Sequence, residues 1–257
     1  ILKNILLTSQ GRVAAYNIFK VILSDKNNEI IVCPYTLTEV INAIIYAGGK
    51  PIYVEINSKT GLPLEKDLNR KINKKTAGLI ITHLYSNKED ILKFHQKYNK
   101  KIKIIEDVAI NLGAKINHSK FLGTIFDYGF YSFGVMKNLC TFHGGAIYCK
   151  NKLKFSEIEQ NLKKNINYPI ILSLRLLLFC SLIDFFYNKY VFNFFTYYFL
   201  NLSIRKIDKF IYPGVYPKFF KKIPSHYNFK FQSHFAIAGI ENLKKLRSDN
   251  RRKINKV

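Results

Sequence analysis

The sequence predicts an α/β fold made of strand–helix units on a largely parallel sheet. Up to about residue 150, short β-branched apolar runs alternate with amphipathic stretches, the pattern of strands crossing over through helices. A chain of 257 residues with 48% hydrophobic and 15% aromatic content can also bury a sizeable core, which excludes a disordered or collagen-like chain. The strand candidates, in order, are 30–33, 51–54, 78–82, 103–106, 129–132 and 146–149, each a short run rich in Ile, Val, Phe or Tyr. Between and after them, helical periodicity falls at 12–23, 38–46, 64–72, 88–98 and 152–163. Such sheets bind ligands at the carboxyl ends of their strands, so the site is expected just after those runs.

The rest of the chain differs in character. Residues 151–257 hold 20 basic and 6 acidic side chains (+14), against +10 for residues 1–150. Within them, 170–202 is very apolar, with eleven Phe or Tyr between Phe179 and Phe199. Its longest uncharged run, 190–204, has 15 residues, short of the roughly 20 needed to span a bilayer. A packed insertion, a subunit contact and peripheral docking on a membrane surface all suit aromatic residues flanked by lysines. After a Pro213-Gly214 turn, residues 231–255 read as a long helix with a basic end.

The net charge of +24 comes from 34 lysines and only seven arginines, set against 17 acids. Arginine is the usual base and phosphate reader, so a specific nucleic-acid partner is not predicted. Heavy lysine use alongside isoleucine and asparagine is what an AT-rich coding sequence produces. Cys33, Cys140, Cys149 and Cys180 form no Cys-x-x-Cys pair, so reduced thiols, a cytoplasmic location and no metal site are expected. Residues 1–7 lack a signal-peptide pattern, and the missing initiator methionine reads as a trimmed or partial chain.

Three features carry chemistry. Asp107 follows the run Ile104-Ile105-Glu106, where a carboxylate can face the ligand crevice and hold a cationic ring nitrogen or a metal; an N-cap on a following helix is the other reading. Lys137 lies between a strand end and Gly144-Gly145, shortly after Ser132, where a lysine able to bond a carbonyl cofactor is presented. Gly11 and Arg12 open a helix whose first backbone amides suit a phosphate, although an ordinary glycine turn reads the same way.

A phosphate-binding helix start, an acid after a central strand and a lysine about thirty residues later follow the order of fold-type I pyridoxal-phosphate enzymes. Residues 31–150 resemble the DegT/DnrJ family of sugar aminotransferases. The resemblance rests on Cys33-Pro34-Tyr35-Thr36, on residues 48–56, on Thr82-His83-Leu84-Tyr85, on Glu106-Asp107-Val108-Ala109 and on Ser132-Phe133 through Lys137, with Tyr227-Asn228-Phe229 later. It implies the three-layer α/β/α sandwich of the fold-type I large domain over 1–152, an apolar insertion or linker over 153–225, and a helix over 226–257. That helix is expected to lead into a smaller C-terminal α/β domain that is missing from the chain.

It also implies pyridoxal 5'-phosphate as cofactor, with Lys137 and Asp107 catalytic. Gly11, Arg12 and Ser132 are then expected at the cofactor phosphate, joined by Asn228 from the second subunit of a homodimer. His83 and Tyr85 are expected at the substrate. The implied reaction moves an amino group, with glutamate as expected donor, to a keto group of a nucleotide-activated sugar for surface polysaccharide or glycolipid synthesis. Some positions depart from the family pattern: Leu37 replaces an aromatic, Ile110 a glutamine or histidine, Gln10 a common serine, and Phe142-His143 a Gly-Glu pair. These departures leave open a non-catalytic member with a regulatory or assembly role. Retention of Lys137 excludes the deoxygenating branch, which carries histidine there.

Overall fold

The computed structural model of the chain describes residues 4–84, 87–116, 120–135, 137–198, 201 and 222–254, and the side chains of these up to residue 244. A seven-stranded sheet in the order β1-β7-β6-β5-β4-β2-β3 forms its centre. The strands are β1 (Ile5–Thr8), β2 (Glu29–Val32), β3 (Lys50–Tyr53), β4 (Thr76–Thr82), β5 (Ile104–Asp107), β6 (Tyr128–Ser132) and β7 (Gly145–Cys149). Strands β3, β2, β4, β5 and β6 pair in parallel, while β7 runs antiparallel to both β6 and β1. Five helices accompany them: α1 (Gly11–Ile22), α2 (Thr38–Tyr46), α3 (Glu65–Lys71), α4 (Lys88–Tyr98) and α5 (Lys152–Lys163).

Side-chain alternation along the strands divides the core into two layers. Ile30, Val32, Ile80, Ile105, Tyr128, Phe130 and Ile147 point to one face and pack with Val13, Ile18 and Phe19 of α1, Ile44 of α2 and Ile158 of α5. Ile31, Leu79, Ile81, Ile104 and Tyr131 point to the other, against Leu68 of α3 and Ile91, Phe94 and Tyr98 of α4. Burying an aliphatic side chain of this size contributes about 1.5–3 kcal/mol, and apolarity on both sides is what makes these strands near-continuous hydrophobic runs. The expected three-layer sandwich is therefore the observed one.

All six anticipated strands and five anticipated helices form, with ends shifted by no more than two residues. Strand β1 is additional: four residues at a sheet edge give too short a pattern to read. The long helix spans Ser233–Ile254. The chain divides into two compact units, residues 1–167 with 222–257, and residues 168–221. Phe155, Ile158 and Leu162 anchor α5 in the first core layer. The Pro213-Gly214 turn and Tyr85 lie outside the described residues, as do the side chains at the basic end of the long helix.

Candidate active site

Strand alternation decides which residues reach the carboxyl edge on the α1 side. Asp107 shares the face of Ile105, and Ser132 that of Tyr128 and Phe130, so all project toward the start of α1. Glu106, one residue earlier, points the opposite way and is wholly buried. Its carboxylate accepts N–H bonds from Gly123 (2.8 Å), Ile125 (2.9 Å) and Phe126 (3.0 Å), and lies 3.1 Å from His83 Nε2. Two adjacent acids thus do different work: Glu106 fastens the loop before β6, and Asp107 faces the cavity.

Helix α1 begins against this edge. Its N-cap, Gln10, supplies no side-chain cap, so the first amides of the helix have no acceptor within it. Gly11 is required by close approach: a Cβ there would stand 2.7 Å from Ser132 Cβ. Gly145 opposite is constrained likewise, its Cβ position being 2.6 Å from the carbonyl carbon of Gln10. These glycines bring the helix start onto the end of β6, where its amides and dipole favour an anion.

A cavity of about 320 Å³ occupies the junction. It is lined by Gly11, Arg12, Asp107, Ser132 and Lys137, five of the residues expected at the cofactor, and also by Leu37, Glu39, Phe130, Phe142 and His143. The Lys137 loop is tied down from three sides: Asn138 Nδ2 donates to Ile110 O (2.8 Å), Phe133 O accepts from Thr141 N (2.8 Å), and Asn242 Nδ2 of the long helix donates to Cys140 O (2.7 Å). Arg12 lies 4.0 Å from Glu39.

Asp107 is 4% exposed, and its Oδ1 accepts the Ala109 N–H at 3.0 Å. Burial pushes its carboxyl up to about 6, against the opposing pull of that N–H and of nearby His83 and Lys137. His143 is held down at about 4 by burial and by the Arg12 charge, and His226 at about 4 by burial, Arg12 and His143. Phe142 takes φ 63°, a left-handed backbone at a position where the resembled pattern has glycine.

The other expected residues lie apart from this cavity lining. His83 is 2% exposed, its ring against Glu106 and its carbonyl bonded by Asn111 Nδ2. Asn228 is exposed at the end of the turn Ser225–Asn228, fixed there by Tyr227, whose ring meets Tyr16 and Tyr46 edge-on at 5.3 and 5.4 Å. Sequence reasoning did not place Glu39 or Phe130 in the site. For Phe130 the signal was available, because it is two residues from Ser132 on one strand. Glu39 reaches the cavity only because α2 packs beside α1, which no local pattern encodes.

Buried polar atoms without a hydrogen-bond partner include, among the described residues, Ser9 Oγ, Gln10 Oε1, Thr36 Oγ1, Thr82 Oγ1 and His83 Nδ1. Tyr46 Oη and His226 Nε2 are unpartnered as well, and of these groups Gln10 lines the cavity, where an orphaned polar atom suits a polar ligand. An anion seat at a helix start, a desolvated carboxylate and a lysine in one cavity fit a phosphorylated, aldehyde-bearing pyridine.

GDP-perosamine synthases of Escherichia coli O157:H7 and Vibrio cholerae are 31% and 29% identical over 147 and 146 residues, which is 56% of this chain and 40% of each relative. The chain thus spans about two fifths of the length of the curated relatives it matches. Helicobacter pylori PseC, an aminotransferase of pseudoaminic acid biosynthesis, shares the fold with a TM-score of 0.56 at 20% identity, covering 65% of this chain and 46% of that one. Spr1654 of Streptococcus pneumoniae, solved in a PLP form, gives 0.53 at 21% identity, with 63% and 46% covered. The profile of the DegT/DnrJ/EryC1/StrS aminotransferase family matches residues 3–164, and the chain belongs to that family.

Proposed function

We propose that the protein is a pyridoxal 5'-phosphate-dependent aminotransferase that moves an amino group, with glutamate as donor, to a keto carbon of a nucleotide-activated sugar. One observation carries this reading: Asp107, Ser132, Lys137 and the start of α1 converge on a single cavity. Bound there, the cofactor supplies an aldehyde and an electron-accepting ring.

Gly11 and Arg12 amides, the Arg12 guanidinium and the Ser132 hydroxyl hold the phosphate. Asp107 would pair with a protonated ring nitrogen, and that positive partner would in turn favour its ionised form, offsetting the desolvation that raises it. Lys137 would hold the cofactor through its Nζ, and the freed amine would act as general base and acid, carrying a proton between the donor carbon and the cofactor's aldehyde carbon. Leu37, where the resembled pattern has an aromatic, offers the ring an aliphatic face.

Asn228 acts across a homodimer, reaching the phosphate in the partner site; its exposure away from the cavity of its own chain suits that role. The product serves surface polysaccharide or glycolipid synthesis, as the family resemblance implies. We place the protein in the cytoplasm, where Cys33, Cys140, Cys149 and Cys180, none of them in a disulfide, remain reduced.

The test uses the full chain loaded with pyridoxal phosphate and mixed with glutamate. Formation of one 2-oxoglutarate per bound cofactor, followed by amination of an added nucleotide keto-sugar, is expected. Cofactor binding with no 2-oxoglutarate produced would overturn the reading in favour of a non-catalytic member.

A further inference from the structure

More than half of the exposed large apolar side chains among the described residues fall between residues 170 and 198. The helix Ile170–Phe186 is covered or half-covered along one narrow strip, formed by Leu172, Ser173, Leu176, Cys180 and Ile183. At 100° per residue, the remaining exposed surface runs from Leu177 through Ile170, Leu174 and Leu178 to Phe186 and Phe179, an arc of about 200°. Only Arg175 and Ser181 interrupt that arc, with Asp184 at its margin. A protein partner or a second copy meets a helix along an apolar stripe of roughly 100°. Half of this arc would then stay in water, whereas lipid surrounds a helix on all sides.

The dimensions select how lipid meets it. Seventeen residues rise about 25 Å, less than the ~30 Å hydrocarbon core; no single helix among the described residues is long and apolar enough to cross a membrane, and Ile170–Phe186 reaches that length and apolarity only together with Lys189–Thr196, across a sharp bend that breaks a straight span. After Tyr187 the chain bends by 62° into Lys189–Thr196, where Phe194 and Phe195 are 74% and 72% exposed. Tyr187, Tyr190, Tyr197 and Tyr198, all exposed, bring amphipathic rings suited to the headgroup layer. In sequence the segment is bracketed by Lys163 and Lys164 before it and by Arg205, Lys206, Lys209, Lys218, Lys221 and Lys222 after it, with Asp208 the only acid among these. Such flanks attract anionic lipid, and the long Arg175 stem can carry its charge to the headgroups.

We propose that residues 170–198 seat in one leaflet of an anionic bilayer as a bent, non-spanning pair of helices. The inference is independent of the reaction assigned above.

The test is co-flotation of the full chain with vesicles of phosphatidylcholine containing about one third phosphatidylserine. The expected result is flotation of the unaltered chain, persisting in part at about 0.5 M salt, and at least a tenfold lower bound fraction for the Phe194→Asp, Phe195→Asp double variant with unchanged thermal melting. The chain contains no tryptophan, so Phe194→Trp gives a single indole, whose emission is expected to be quenched by lipids brominated in their acyl chains. Three results would overturn the proposal: unquenched indole fluorescence in the Phe194→Trp variant, binding by the double variant equal to that of the parent, or a lipid-free oligomer that the double variant dissolves without change in vesicle binding. The second assigns the interaction to lysine attraction alone and the third to contacts between copies.

Discussion

At the carboxyl edge of the sheet, polar side chains are buried; between residues 170 and 198, apolar ones are exposed. Asp107 and the unpartnered atoms of Gln10, Thr36 and Thr82 cost free energy that the protein's own contacts do not recover. Ile170, Phe194 and Phe195 forgo burial that the chain has the length to provide. Both regions break the rule that sorts residues between core and surface, and in opposite senses. The buried polar set asks for a small charged molecule, the exposed apolar set for a medium without water. The break itself therefore carries the functional information, since Ile30, Leu79 and Phe19, which obey the rule, report only the fold.

Variants sharpen that contrast. The largest effect belongs to Lys137→Ala, which is expected to lower turnover by on the order of 10⁴-fold, measured as 2-oxoglutarate formation, with the fold unchanged. Asp107→Asn separates function from stability. The folded carboxyl, at about 6, keeps its proton while the unfolded one, at 3.8, loses it, so stability falls as pH rises through that window and stays lowered above it. The amide is expected to stabilise the cofactor-free protein by about 2–3 kcal/mol at pH 8 in urea melts, while turnover drops roughly a hundredfold or more. A loss of stability at pH 8 would show that Asp107 is structurally paired.

His143→Gln probes the same cavity with the opposite pH sign. The unfolded imidazole gains its proton near 6.5 and the folded one only at about 4, so the stability present above 6.5 is lost as pH falls toward 4. The variant is expected to match the parent at pH 8 and to exceed it by about 2 kcal/mol at pH 4.5. Phe142→Gly, which relieves a left-handed backbone at φ 63°, is expected to raise thermal stability by about 1 kcal/mol. None of these four changes should alter vesicle binding, because none touches the apolar helix pair.

Much of the fold was legible because buried parallel strands are apolar on both faces, as in Ile30-Ile31-Val32 and Ile104-Ile105, and stand out in any window. Strand β1 was not, since four residues gain their identity from pairing with β7. Within the site, Lys137 and Asp107 could be read from their places after strands and from the family pattern. The close approach of Gly11 to Ser132 and of Gly145 to Gln10 is a property of helix and sheet packing, invisible in a one-dimensional pattern. His83 shows the converse: the motif drew attention to the residue, whereas its burial against Glu106 follows from the three-dimensional placement of β4 beside β5.

The central claim is that one cavity unites a cofactor-binding lysine with the acid and helix start that complete its site. Borohydride reduction of the full chain loaded with pyridoxal phosphate, followed by peptide mass analysis, tests it most directly. The account predicts one reduced cofactor per chain, attached to Lys137, and none on Lys137→Ala. Attachment spread over other lysines, or equal labelling of the alanine variant, would contradict it.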